Sequence, residues 1–143
     1  MTLVVDASVA LKWFLADEAY AVEAFSLVQA GIPLIAPDLL VAEVCNAAWR
    51  SARAGRIEWS ELTDISRITP RFFDQLIGAT ILAPRAAIIA RQLDHPIYDC
   101  LYVALAEARE IPLVTADTRL MTKLMNSAWA ASAVPLAEYR IQP

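Results

Sequence analysis

Short unbroken apolar runs alternate along this chain with longer stretches in which apolar residues recur every three or four positions. Leu3-Val4-Val5 is the first run, closed by Asp6, and predicts a short buried strand. Val9, Lys12 and Trp13 then fall at helical spacing, with Ser8 as the expected cap of a helix to Leu15. Asp17 is the expected cap of the next helix, Glu18 to Ala30, which Gly31 ends. Pro33-Leu34-Ile35-Ala36-Pro37 predicts a second strand. Asp38 caps a helix with Leu40, Val44, Ala47 and Ala48 on one face, ending at Gly55. Ser60 starts a further helix that Pro70 ends or kinks. Residues 72–82, where Phe72-Phe73 and Ile81-Leu82 flank Gly78, are ambiguous, a helix end plus a strand being one reading. Pro84 fits the first turn of a helix to Leu93, and Asp94-His95-Pro96 a loop. Apolar residues at 97, 100, 101, 104, 105 and 108 predict an amphipathic helix from Ile97 to Arg109. Pro112 to Thr115 reads as strand, Thr118 to Met125 as helix, and Val134-Pro135-Leu136 as a last strand.

Strands of continuous apolar character joined through helices predict an α/β fold, with a parallel sheet covered on both faces. Ligands of such folds bind outside the carboxyl ends of the strands, where Asp6 and Asp117 fall. No repeat, low-complexity stretch or linker divides the chain, so residues 1–143 are expected to form a single domain.

Composition sharpens this picture. At 58% hydrophobic the chain can build a core without disulfide staples. Cys45 and Cys100 lie in apolar helical patterns and are expected as free thiols in a reducing compartment, a single bridge being the alternative. The mean hydropathy of +0.45 comes without any run of 18 apolar residues. It therefore argues for apolar surface buried against a partner or a second copy, and against a membrane span. The first residues are already strand-like, and Lys12 and Asp17 interrupt the next segment, which predicts no secretory signal. A net charge of −4 argues against a general nucleic-acid binder. Arg50, Arg53 and Arg56 around Gly55 are either a short phosphate-holding rim or a solvated helix end favoured by the dipole.

The candidate chemistry lies in four acids, each at the edge of an apolar element: Asp6, Glu43, Asp99 and Asp117. Acids gathered in space without bases repel one another unless a cation sits among them, so the set suggests a divalent-metal site. Singly, each has a plainer reading: a turn residue, a solvated helix glutamate, a dipole-favoured helix acid and a turn aspartate. Ser8 stands beside Asp6, Asn46 shares a helix face with Glu43, and Thr115 shares a side with Asp117. His95, the only histidine, reads as a loop or capping residue. The four tryptophans read as core or partner packing before base stacking.

In order, V-V-D-A-S, A-E-V-C-N, Y-D-C-L-Y-V-A-L-A and L-V-T-A-D-T-R-L resemble the motifs of the PIN-domain nucleases, most closely the VapC-type toxins of toxin–antitoxin pairs. The likeness runs from Leu3 to Lys123 and includes Ser8-Val9-Ala10-Leu11-Lys12-Trp13-Phe14. It implies a three-layer α/β/α fold with a central parallel sheet. It also implies an endoribonuclease in which Mg²⁺ or Mn²⁺, held by Asp6, Glu43, Asp99 and Asp117, activates a water to hydrolyse an RNA phosphodiester. Ser8, Asn46 and Thr115 fall on accessory polar positions. Where some members carry a further acid, this chain has Thr118-Arg119-Leu120, which implies a loosely held second cation, with Arg119 reaching a phosphate or a neighbouring acid. The resemblance further implies a cytoplasmic location, homodimers, and neutralisation by a cognate antitoxin. The antitoxin would lie in an apolar groove built from part of Tyr20, Phe25, Leu39, Leu40 and Trp49. A housekeeping RNA-processing nuclease shares the same site. A non-catalytic binding module would be expected to have lost an acid, and an aspartyl phosphatase would need an aspartate where Ser8 stands.

Overall fold

A computed structural model describes residues 1–142. Five strands form one sheet in the order β3-β2-β1-β4-β5: β1 (Leu3–Val5), β2 (Leu34–Pro37), β3 (Gln75–Ile77), β4 (Leu113–Thr115) and β5 (Ala133–Pro135). Every pairing is parallel. β1, β2 and β4 are buried along their whole length, as the unbroken apolar runs require.

Alternation within β1 splits the core. Leu3 and Val5 join Leu34, Val114 and the α2 residues Ala24 and Leu27 (α2, Ala21–Gln29) on one face. Val4 joins Ile35 and Leu113 on the other, beneath α3 (Leu39–Arg53), α5 (Ala79–Leu93), α6 (Ile97–Arg109) and α7 (Thr118–Met125). A short α1 (Ala7–Ala10) follows β1, and α4 (Trp59–Ile68) packs on α3. The result is the expected three-layer α/β/α fold. A bidentate Arg85–Glu107 pair at 2.7 Å joins α5 to α6.

Local corrections have local causes. Asp6, not Ser8, caps α1: its backbone is extended, and Oδ1 accepts from the Val9 N–H at 3.2 Å. α2 starts at Ala21 rather than Glu18, because Tyr20 adopts a left-handed φ of 61°. Glu18 instead pairs with Lys12 at 3.8 Å and Arg56 at 3.7 Å. For a bulky side chain that backbone costs about 1–3 kcal/mol. A capping box between Glu58 and Glu61 opens α4, one residue before the expected Ser60 start. The ambiguous 72–82 stretch is strand β3 followed by the start of α5, with Asp38 Oδ1 accepting from the Ala79 N–H at 3.0 Å. Pro84 therefore lies inside α5, not in its first turn. The last strand begins at Ala133, one residue earlier than expected.

Candidate active site

β1 and β4 are neighbours, so their carboxyl ends deliver Asp6 and Thr115 to the same spot. Asp6 is 3% exposed, and hydroxyls hold both of its oxygens. Ser8 Oγ donates to Oδ1 at 2.5 Å, and the Thr115 hydroxyl donates to Oδ2. Each hydroxyl oxygen accepts in turn from the backbone just after β4: Ser8 Oγ from the Ala116 N–H and Thr115 Oγ1 from the Asp117 N–H, both at 3.0 Å. The end of β4 thus fixes the rotamer of an acid at the end of β1, through a hydroxyl on either side.

Burial lifts the Asp6 carboxyl from 3.8 to about 6, against the pull of the Ser8, Thr115 and Val9 hydrogen bonds and with a further push from the Asp99 charge. Glu43 is also raised, by burial first, opposed by a Tyr102 hydrogen bond and assisted by Asp99. These shared influences follow from position, since Asp6, Glu43, Asp99 and Asp117 line one cleft of about 220 Å³. Glu43 enters from the second turn of α3 and Asp99 from the first turn of α6. Asp117 both lines the cleft and caps α7, accepting from Arg119 N–H at 2.9 Å and Leu120 N–H at 3.1 Å.

The accessory positions divide. Ser8 lines the cleft, and Thr115 lies fully buried behind Asp6. Asn46 instead lines an adjoining depression that shares Glu43 and Asp99 with the cleft. Arg119 is exposed and lies off the cleft wall; its backbone, not its guanidinium, meets Asp117. The arginine cluster around Gly55 is dispersed. Arg50 reaches the cleft wall, Arg53 lies 5.4 Å over the Trp49 ring, and Arg56 faces Asp17 and Glu18.

Two partners of the acids were not legible as such. Tyr102 donates its hydroxyl to Glu43 Oε1 at 2.6 Å. His95, read from the sequence as a loop or capping residue, is buried with Nε2 2.6 Å from Asp99 Oδ2. For Tyr102 the available signal was spacing, three residues after Asp99 on the same helix; His95 precedes α6 in a loop, where spacing gives no such signal. Cys45 and Cys100 are free, burial pushing the Cys100 thiol up to about 11.

Apart from the Arg50 guanidinium, which cannot ligate a cation, the polar side chains lining the cleft end in oxygens, a set that suits a hard divalent cation. Among the described residues no three of the acids close into a ready-made cage. A cation there would therefore take part of its ligand set from water.

Comparison with known proteins identifies the family and the fold. The profile of the PIN domain matches residues 3–124. Ribonuclease VapC1 of Mycobacterium tuberculosis is 37% identical over 87 residues, 59% of this chain and 63% of that protein, so the match spans less than two thirds of the relative. Ribonuclease VapC3 of Pyrobaculum aerophilum is 32% identical over 125 residues, 86% of this chain and 95% of that protein. The crystal structure of PAE2754 from Pyrobaculum aerophilum is similar in fold, with a TM-score of 0.71 at 22% identity over 96% of this chain and 85% of that one. Matched along most of its length by that profile, this chain belongs to the PIN-domain family.

Proposed function

We propose that the protein is a Mg²⁺- or Mn²⁺-dependent endoribonuclease and serves as the toxin of a toxin–antitoxin pair. The observation that carries this is the meeting of four acids from distant parts of the chain in one cleft, with Asp6 pushed to about 6 by burial. The similarity to proteins named Ribonuclease VapC supports RNA as the substrate. Asp6, Glu43, Asp99 and Asp117 would hold the cation, which would supply a water of lowered pKa and offset charge on the phosphate. The chain's own residues do the rest. Ser8 and Thr115 hold the Asp6 carboxylate in one orientation, Tyr102 holds Glu43, and His95 holds Asp99. Arg50, on the cleft wall, supplies a fixed positive charge for a phosphate oxygen.

The test is cleavage mapping on total RNA with and without Mn²⁺, wild type beside Asp6→Asn. Discrete new ends that need both the metal and Asp6 are expected. Metal-independent cleavage, or cleavage retained by the variant, overturns the reading.

Partner binding belongs to the same proposal. Of the residues expected at an apolar groove, Tyr20, Phe25 and Trp49 are exposed and Leu39 is partly so, whereas Leu40 is fully buried. An antitoxin covering an acidic cleft should bring an Arg or Lys into it, so Mn²⁺ should compete with the partner. Affinity unchanged at saturating Mn²⁺ removes the basic plug. A homodimer is supported by Ile81 and Ile88, seven apart on α5 and exposed by 75% and 49%. Light scattering that reads a monomer at all concentrations removes it.

A further inference from the structure

The acid cleft adjoins two depressions, each sharing at least one acid with it and each carrying one exposed tyrosine. On one side Glu43 and Asp99 also wall a space of about 410 Å³ with Tyr98, Asn46 and Pro96. On the other, Asp117 also walls a space of about 350 Å³ with Tyr20, Thr118 and Leu136. Tyr98 is 60% and Tyr20 52% exposed. Both depressions are mainly apolar and fall in the usual range for small-molecule sites, roughly 300–1,000 Å³.

Resting on the ribonuclease reading, we propose that these depressions are nucleobase pockets, which hold the bases on either side of the phosphodiester bound at the acids. A strand whose phosphate lies in the cleft must leave it in two directions, and each depression adjoins the cleft through a different acid wall, Glu43 and Asp99 for one and Asp117 for the other. A base has an apolar face for a tyrosine ring and a polar edge for a side chain. Each depression offers both: Tyr98 with the Asn46 amide, and Tyr20 with the Thr118 hydroxyl. An amide can pair two-pronged with a base edge, adenine being the best match, so the Asn46 side is the selective one. Asn46 thereby has a role although it stands off the cleft. Tyr20 keeps its left-handed backbone, an outlier for a bulky residue, at the rim of the second pocket. Stacking needs an unpaired base, so the test RNAs are single-stranded.

The test uses the full chain with Mn²⁺ and short single-stranded RNAs in which one nucleotide beside the cleaved bond is abasic. Removing a stacked base should lower kcat/KM about 5- to 150-fold. Tyr98→Ala should cost a similar factor on the intact RNA and nothing further on the RNA abasic on its side, and Tyr98→Trp should restore the rate. Tyr20→Ala and Tyr20→Trp should behave alike for the opposite side. Asn46→Ala should flatten base preference on the Tyr98 side. Both tyrosines are exposed, and thermal melts of the variants should match wild type. If abasic and alanine effects simply multiply, or if the alanine variants keep wild-type kinetics and lose only antitoxin binding, the base pockets are wrong while the nuclease stands. A wild type that cuts no RNA with either metal overturns both.

Discussion

The Tyr102 hydroxyl donates to Glu43 Oε1 at 2.6 Å and ties α6 to α3 beside the cleft. Burial and the Glu43 charge hold the phenol firmly protonated, so it stays a donor. Without it, nothing would oppose the burial that raises Glu43. Tyr102→Phe should therefore raise the Mn²⁺ concentration for half-maximal cleavage by about 10-fold or more. Loss of one hydrogen bond should lower stability by only about 1–2 kcal/mol. An unchanged metal titration would mean the pair serves packing alone.

The Asp6 carboxyl sits at about 6 in the fold against an ordinary 3.8. The folded state holds that proton more tightly than the unfolded chain, so the protonated acid favours folding. This contribution, about 3 kcal/mol, is complete below pH 4 and lost as pH rises through 6. Asp6→Asn has nothing to titrate there. Metal-free melts should show the variant as stable as wild type or more so at pH 7.5, with any advantage shrinking towards pH 4. A large drop in Tm at pH 7.5 would show that the ionised acid is structural.

Much of this was legible in the sequence because the strands are short and buried on both faces. Their runs are unbroken and end in an acid or a threonine, which marks the sheet and its functional edge together. The path between Phe73 and Ala79 was less legible, because β3 is a partly exposed edge strand with little apolar signal. The cap of α1 was not legible: Asp6 takes the part expected of Ser8, while still lining the cleft. Both residue types cap helices, and only the meeting of β1 with β4 shows that the serine is held by the backbone after Thr115. Asn46 and Arg119 lie on the expected elements, but helical phase and helix direction turn them from the cleft wall. Family resemblance could place residues on motifs; it could not supply the His95–Asp99 and Tyr102–Glu43 contacts, which depend on side-chain packing.

Arg50 is the residue of the arginine cluster that reaches the cleft wall. Arg50→Ala should raise KM for RNA with a smaller effect on kcat. It should also flatten the dependence of log affinity on log salt by about one phosphate contact. Arg50→Lys should recover the salt slope but only part of the affinity, since an ammonium lacks the guanidinium fork. If Arg50→Ala leaves KM and the salt slope untouched, the guanidinium is a solvated helix end.

If Asp6, Glu43, Asp99 and Asp117 act together on one divalent cation, that cation should be visible among them. Anomalous diffraction from crystals soaked in Mn²⁺ is the decisive experiment. A peak is predicted inside the cleft, with ligands drawn from those four acids, and Asp99→Asn should abolish or weaken it. An empty cleft at saturating Mn²⁺ in protein that still cleaves RNA, or a peak that survives Asp99→Asn unchanged, would contradict a shared metal site.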